Sequence, residues 1–279
     1  MRKILALILA VMMLTCLFAG CTNNDVENND VLSDGGDVTA TSDTDYIMEN
    51  GKLIIGMTLF APMNYYDADN NLIGFETEFA EAVCEKIGVE PVFQEINWDA
   101  KEIELNAKNI DCIWNGMTIT DERKANMEIS DAYMANKQVM VVKKENAEKY
   151  AEGVIGAAVV AEAGSAGEEI ATGEDFFKDC AFTPVDSMAK ALMDVAAGTS
   201  DIAVVDYVAS IGSIGEGTDF ENLVVVDEKE FSPEEYGIAF RKGSDMATVV
   251  NNTIDELIAD GTLDAIAAKY KLADLLIKD

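Results

Sequence analysis

The sequence predicts an α/β protein with mainly parallel sheets, built as two similar lobes. Three observations carry that expectation. From Lys52 onward, strand-like apolar runs alternate with helical segments, the pattern of sheets whose strands are joined by crossover helices. Two stretches, "LNAKNIDCIWNGMT" (105–118) and "DVAAGTSDIAVVDYVA" (194–209), both run helix, short turn, Asp, apolar strand, polar residue. One structural unit therefore recurs, without an alignable repeat. Finally, 279 residues at 49% apolar suffice for one large core or two modest ones.

The elements follow in order. Arg2 and Lys3 precede the apolar run "ILALILAVMMLTCLFAG", which ends in small residues before Cys21. This reads as an export signal rather than a structural span, and "LFAGC" is similar to a bacterial lipobox, with Phe18 where Leu is usual. Residues 22–45 are mostly Asn, Asp, Ser, Thr and Gly, with few apolar side chains. Such a segment buries too little to order itself and would act as a tether spanning on the order of 25–30 Å.

"KLIIGMTL" and "VEPVFQEI" are strands, separated by the helix "GFETEFAEAVCEKIG", in which Phe79, Ala80, Val83, Cys84 and Ile87 share one face. "WDAKEIELNAKN" is a helix and "DCIWNG" a strand. After "QVMVVKK" come strands "VIGAAVV" and "AFTPV", helix "DSMAKALMDVAAG", and strands "DIAVVD" and "LVVVD". The chain closes with "YGIAFRKG" and two helices, "MATVVNNTIDELIAD" and "LDAIAAKY".

Composition excludes several function classes. The formal charge is -32, which repels nucleic-acid phosphates and anionic headgroups. The chain has no histidine, which removes Ser-His and Cys-His nucleophile pairs and the commonest neutral-pH base and metal ligand. Beyond Cys16 and Cys21, the cysteines are Cys84, Cys112 and Cys180, an odd number without CxxC spacing and set among apolar neighbours. Buried thiols are expected.

Four features are candidate sites. "DADNNLIGFETE" (67–78) nearly fits a calcium loop, but Leu72 stands where the sharp turn needs Gly, so it reads as a polar turn. "AEAGSAGEEIA" (161–171) is no phosphate loop, lacking the Lys and the spacing. It opens a helix, either plainly capped or presenting N–H groups to an anion. Arg123 is one of three arginines, with Arg2 and Arg241. Thr120 is a natural N-cap, and Arg123 in that first turn opposes the helix dipole by roughly a few tenths of a kcal/mol. It is either an exposed residue balanced by Asp121 and Glu122, or a guanidinium aimed over the strand end to grip a carboxylate with two parallel bonds. Phe60, Tyr65, Tyr66 and Trp98 sit where ligand-facing aromatics would lie, with core packing the other reading of each.

The ordered segments "GFETEFAEAV", "WDAKEIELNAKNIDCIWNGMTITDERK", "VVAEAGSAGEE", "SDIAVVD", "EEYGIAFRKGS" and "LIADGTLDAIAAKY" resemble the polar amino-acid-binding proteins of ABC importers, extracellular solute-binding protein family 3. The resemblance covers nearly all of the chain from about residue 50. It implies a type II periplasmic-binding-protein-like fold, with two α/β lobes, two hinge strands and a ligand cleft between them. Residues 1–20 would be signal peptide and 21–45 a disordered tether after the lipidated Cys21. Residues 46–141 with 238–279 would form lobe 1, and 142–237 lobe 2.

The resemblance further implies that Arg123 pairs with a ligand α-carboxylate, helped by the backbone N–H groups of Thr118 and Ala166. The Gly116 carbonyl, the Thr118 hydroxyl and Asp206 would hold the α-ammonium. Phe60 and Trp98 would sandwich the side chain, and Asn115 would bear on specificity. Ala166 lacks the hydroxyl some members place there, so only its backbone could serve. The expected function is an extracytoplasmic, lipid-anchored lipoprotein on the cell membrane. It would be a monomer delivering a polar or neutral amino acid (glutamine, cystine or another of that size) to ABC permease subunits. No catalytic residue, cofactor, metal or nucleic acid is implied. The alternatives are a cyclohexadienyl-dehydratase-like enzyme on the same fold, or a ligand-sensing module.

Overall fold

The computed structural model describes residues 42–226, 229, 231 and 233–278. Cys21, the apolar run and most of the expected tether lie outside the described residues. Helix α1 (Asp43–Asn50) starts within the stretch assigned to the tether, because Ser42 caps it by accepting the Asp45 N–H at 3.0 Å. Gly51, at φ 65°, ends it in the left-handed conformation that only glycine adopts without cost.

The first lobe continues with β1 (Lys52–Met57), the small ribbon β2 (Tyr65–Tyr66) and β3 (Leu72–Ile73), α2 (Phe75–Ile87), β4 (Glu90–Glu95), α3 (Lys101–Asn106), β5 (Cys112–Ile113), α4 (Asp121–Asn126) and β6 (Met127–Ile129). The second is built from β7 (Met134–Lys143), α5 (Ala147–Glu152), β8 (Ala158–Glu162), α6 (Ala166–Gly173), β9 (Ala181–Val185), α7 (Met188–Ala197), β10 (Ile202–Asp206), α8 (Tyr207–Ser213), β11 (Leu223–Val226) and β12 (Pro233–Tyr236). The chain then returns to the first lobe as β13 (Ala239–Arg241), α9 (Met246–Ala259) and α10 (Thr262–Lys269).

Among the described residues, the first sheet runs β4-β1-β5-β13-β6 and the second β11-β7-β10-β8-β9. The pairs β1–β4, β1–β5, β8–β10 and β8–β9 are parallel, as the strand–helix alternation predicts. The remaining pairs in these sheets are antiparallel, so mainly parallel sheets were too simple an expectation. The reason is the route of the chain. β7 pairs with β12 through residues 134–137 and with β10 through residues 138–142. The chain enters the second sheet along β7 and leaves it along β12, and strands that enter and return run against their neighbours.

Helix α2 buries Phe79, Ala80, Val83 and Cys84, as its periodicity requires. Phe79 stands edge-on to Trp114 at 4.9 Å and to Tyr133 at 5.4 Å. Each such aromatic contributes about 1.5–3 kcal/mol through burial. In the first turn of the same helix Glu76 is buried and accepts the Gly116 N–H at 2.8 Å and the Tyr133 hydroxyl. Burial raises its carboxyl to about 7. The Asp67 turn is a local polar one: Asp67 Oδ1 accepts the N–H groups of Asp69 and Asn71.

Candidate functional site

The two lobes meet where the strand ends of both sheets face one another. On the first-lobe side lie Thr58 and Phe60 after β1, Trp98 and Lys101 around the start of α3, and Asn115 to Arg123 after β5. On the second-lobe side lie Asn136 and Gln138 of β7, Glu162 and the loop to Ala166 after β8, Asp206 at the end of β10, and Glu234 and Tyr236 of β12. Thr58, Phe60, Trp98, Asn115, Thr118, Arg123, Ala166 and Asp206 are all buried.

Arg123 is where the N-cap puts it. Thr120 accepts the Arg123 N–H at 3.1 Å, and the guanidinium turns back along the loop. Its Nη1 donates to the Thr118 carbonyl at 2.8 Å, while Nη2 reaches the Gly164 carbonyl at 3.4 Å and Glu169 Oε1 at 3.5 Å. At 5% exposure it is not a solvated surface residue. Opposite it, Asp206 accepts from Asn136 Nδ2 at 3.1 Å and from Gln138 Nε2, and the buried Tyr236 hydroxyl is near enough to steady its charge. Burial raises the Asp206 carboxyl, and these donors together with the Arg123 charge pull against that rise.

Thr118 sits opposite Tyr236 in a bridge whose bonds are made by neighbours, Ile119 N to the Glu235 carbonyl and Gly237 N to the Met117 carbonyl. The Thr118 N–H therefore lies outside that ladder, and its hydroxyl donates to Glu234 at 3.3 Å. Gly116, at φ 57°, takes a backbone conformation that other residues rarely adopt, and a Cβ there would stand 3.1 Å from the Phe60 ring. Asn115 is fully occupied within its own lobe. Oδ1 accepts from Thr58 N and Oγ1, and Nδ2 donates to the Thr58 carbonyl and Asn64 Oδ1. It reaches the cleft only by fixing Thr58. Ala166 opens α6, capped by Ser165. Trp98 packs on Leu105 and Ile110 with the Lys101 ammonium 5.1 Å from its ring centre.

Sequence reasoning passed over Lys101, Glu162 and Glu234. Lys101 Nζ donates to the Gly164 carbonyl at 2.8 Å across the cleft and to the Trp98 carbonyl at 3.3 Å. Burial, with the neighbouring Arg123 charge, lowers it to about 8. Glu234 accepts from Asn136, Gln138 and Thr118, and burial raises its carboxyl. The available signal was a charged residue closing an apolar strand, as in "GAAVVAE". No acid is expected around Phe60 from that segment alone; the acids come from the opposite lobe.

The described residues hold no cluster of three or more metal-ligating acids or cysteines, and none of their helices is long and apolar enough to cross a membrane. A sequence model of the bacterial extracellular solute-binding proteins, family 3, matches residues 53–273. The chain belongs to this family. It is 30% identical over 236 residues to the L-cystine-binding protein TcyJ of Escherichia coli (strain K12), covering 82% of this chain and 86% of that one. It is 28% identical over 240 residues to the arginine-binding extracellular protein ArtP of Bacillus subtilis (strain 168), covering 84% and 92%. Among solved structures, an ABC uptake transporter substrate-binding protein from Streptococcus pneumoniae with bound histidine superposes with a TM-score of 0.76 at 29% identity, covering 85% of this chain and 99% of that one. These family relatives are named as binders and not as enzymes, and the chain is a solute-binding protein of the same kind.

Proposed function

We propose that the cleft binds one free amino acid outside the cytoplasm and hands it to an ABC permease. One observation carries the reading: Arg123 and Asp206, opposite charges from different lobes, are both buried, and the Arg123 charge reaches the Asp206 carboxyl. A free amino acid buries a carboxylate and an ammonium carried on the same carbon, and each needs an opposite partner or costs about several kcal/mol. Arg123, with the N–H groups of Thr118 and Ala166, takes the carboxylate. Asp206, with the Gly116 carbonyl and the Thr118 hydroxyl, takes the ammonium. Phe60 and Trp98 flank the side chain.

Neither lobe holds both partners, so the ligand favours the closed arrangement by its differential affinity for it. The lobes divide at β7 and between β12 and β13. Calorimetric titration with the common amino acids and cystine tests this: one of them should saturate at a single site and raise the melting temperature. No heat and no shift with any of them would refute it. The protein is further proposed to act as a monomer held on the membrane by lipid on Cys21, so detergent-phase partitioning should be lost in Cys21→Ser.

A further inference from the structure

Glu162 ends β8 at 1% exposure, yet neither carboxylate oxygen has a hydrogen-bond partner among the described residues. The Thr58 hydroxyl is near enough to steady its charge, but its single proton goes to Asn115 Oδ1 at 2.8 Å. Gln138 Oε1 is a second buried acceptor without a donor. It lies 3.1 Å from where a Cβ on Gly167 would stand, beside the first turn of α6. The donors around them are engaged: Lys101 Nζ with two carbonyls, Asn136 Nδ2 and Gln138 Nε2 with Asp206 and Glu234. Among the cations, Arg123 keeps only long contacts through Nη2, which leaves it capacity for a carboxylate. The cleft thus offers unmatched acceptors, and its carboxyls Glu162, Asp206 and Glu234 outnumber Lys101 and Arg123.

We infer that Glu162 selects the ligand, and that the ligand is an amino acid whose side chain ends in a cation, a guanidinium or an ammonium. This rests on the amino-acid reading above and narrows it. A buried acceptor without a donor is costly, and a guanidinium would place two parallel N–H groups on both Glu162 oxygens. A neutral amide or ureido group of the same length can supply donors but no charge. The groups facing Glu162 are Asp206 on β10, Lys101 on α3 and Thr58 after β1. Burial and Asp206 hold its carboxyl up at about 8, against the pull of Lys101 and Thr58. An entering cation favours the ionised form, so binding near pH 7 releases a proton, and affinity for a cationic ligand climbs with pH towards 8.

The test is titration calorimetry of the purified protein with L-arginine, L-lysine, L-citrulline, L-glutamine and L-cystine. Arginine or lysine should bind roughly 100-fold or more tighter than citrulline, the scale of a buried charge pair. Glu162→Gln should shrink that gap below roughly tenfold while leaving citrulline and glutamine nearly unchanged. Repeating the arginine titration in buffers of different ionisation heat should show proton release in the wild type and none in Glu162→Gln. Citrulline, glutamine or cystine binding as tightly as the cationic ligands overturns the inference and leaves the amino-acid reading standing. So does a Glu162→Gln protein that weakens every ligand equally. Failure of every amino acid to bind removes both.

Discussion

Replacing Asp206 by Asn separates what this residue does for the ligand from what it does for the fold. The side chain keeps its shape and still accepts from Asn136 and Gln138 through Oδ1. The Tyr236 hydroxyl, buried near the carboxylate with no hydrogen-bond partner among the described residues, can accept from the new amide. What disappears is a buried negative charge. For a bound α-ammonium that leaves one member of a buried pair unmatched, a loss of about 3–5 kcal/mol, or roughly 10²–10⁴ in affinity. The unliganded protein should move the other way. Burial raises the Asp206 carboxyl above its ordinary value, so the folded state disfavours its ionised form. Stability is then lost as pH rises through the folded-state value, and an amide escapes that loss. Asp206→Asn should therefore unfold in urea at a higher midpoint near pH 7 and show a flatter pH dependence, while calorimetry records the drop in affinity. Wild-type affinity in this variant would show that the carboxylate is not the ammonium's partner. A lower urea midpoint would show that it is a structural acceptor.

Arg123→Lys should bind between wild type and Arg123→Ala, because an ammonium keeps the charge and loses the planar fork; equal affinities for Lys and Arg would refute the two-bond grip. Arg241 is buried against Asp43 at 2.8 Å, Asp111 at 3.1 Å and the Ile110 carbonyl at 2.8 Å. Arg241→Ala should cost roughly 3–5 kcal/mol in urea unfolding and leave ligand affinity unchanged in the folded protein. A change below about 1 kcal/mol, the scale of an exposed pair, would contradict this burial. Alkylation followed by mass spectrometry should label the half-buried Cys180 in the native protein, and Cys84 and Cys112 only after unfolding. Burial raises the Cys84 thiol to about 12; equal native labelling at all three would mean that the core opens.

The sequence made the local rules visible and hid the long-range ones. The apolar face of α2 and the Thr120 cap each follow from a few adjacent residues, and both are as expected. β12 was invisible: "PEEY" has no apolar alternation, and it is a strand only because β7 offers a partner edge. Helix α8 contains Ser and Gly, weak helix formers. Gly212 is needed there because an added Cβ would meet the Pro62 nitrogen at 2.5 Å, a contact from the other lobe. The burial of Arg241 is equally illegible from its neighbours, since both its acids lie more than 100 residues away in sequence. Asn115 shows the converse. Position placed it beside the cleft, but only the hydrogen-bond geometry reveals that all of its polar capacity faces inward.

The place of β13 in the first sheet bears on how the molecule comes into being. It lies between β5 and β6, two strands made more than 100 residues before it, and the buried faces of α9 and α10 follow it in the chain. A growing polypeptide that has reached Tyr236 already carries every strand of the second lobe. Its first sheet, however, still has an open slot, and Phe79 and Trp114 lack the late residues that share their core cluster. The sheet begun first is therefore the sheet completed last: its open slot is filled only by residues made after every strand of the second sheet.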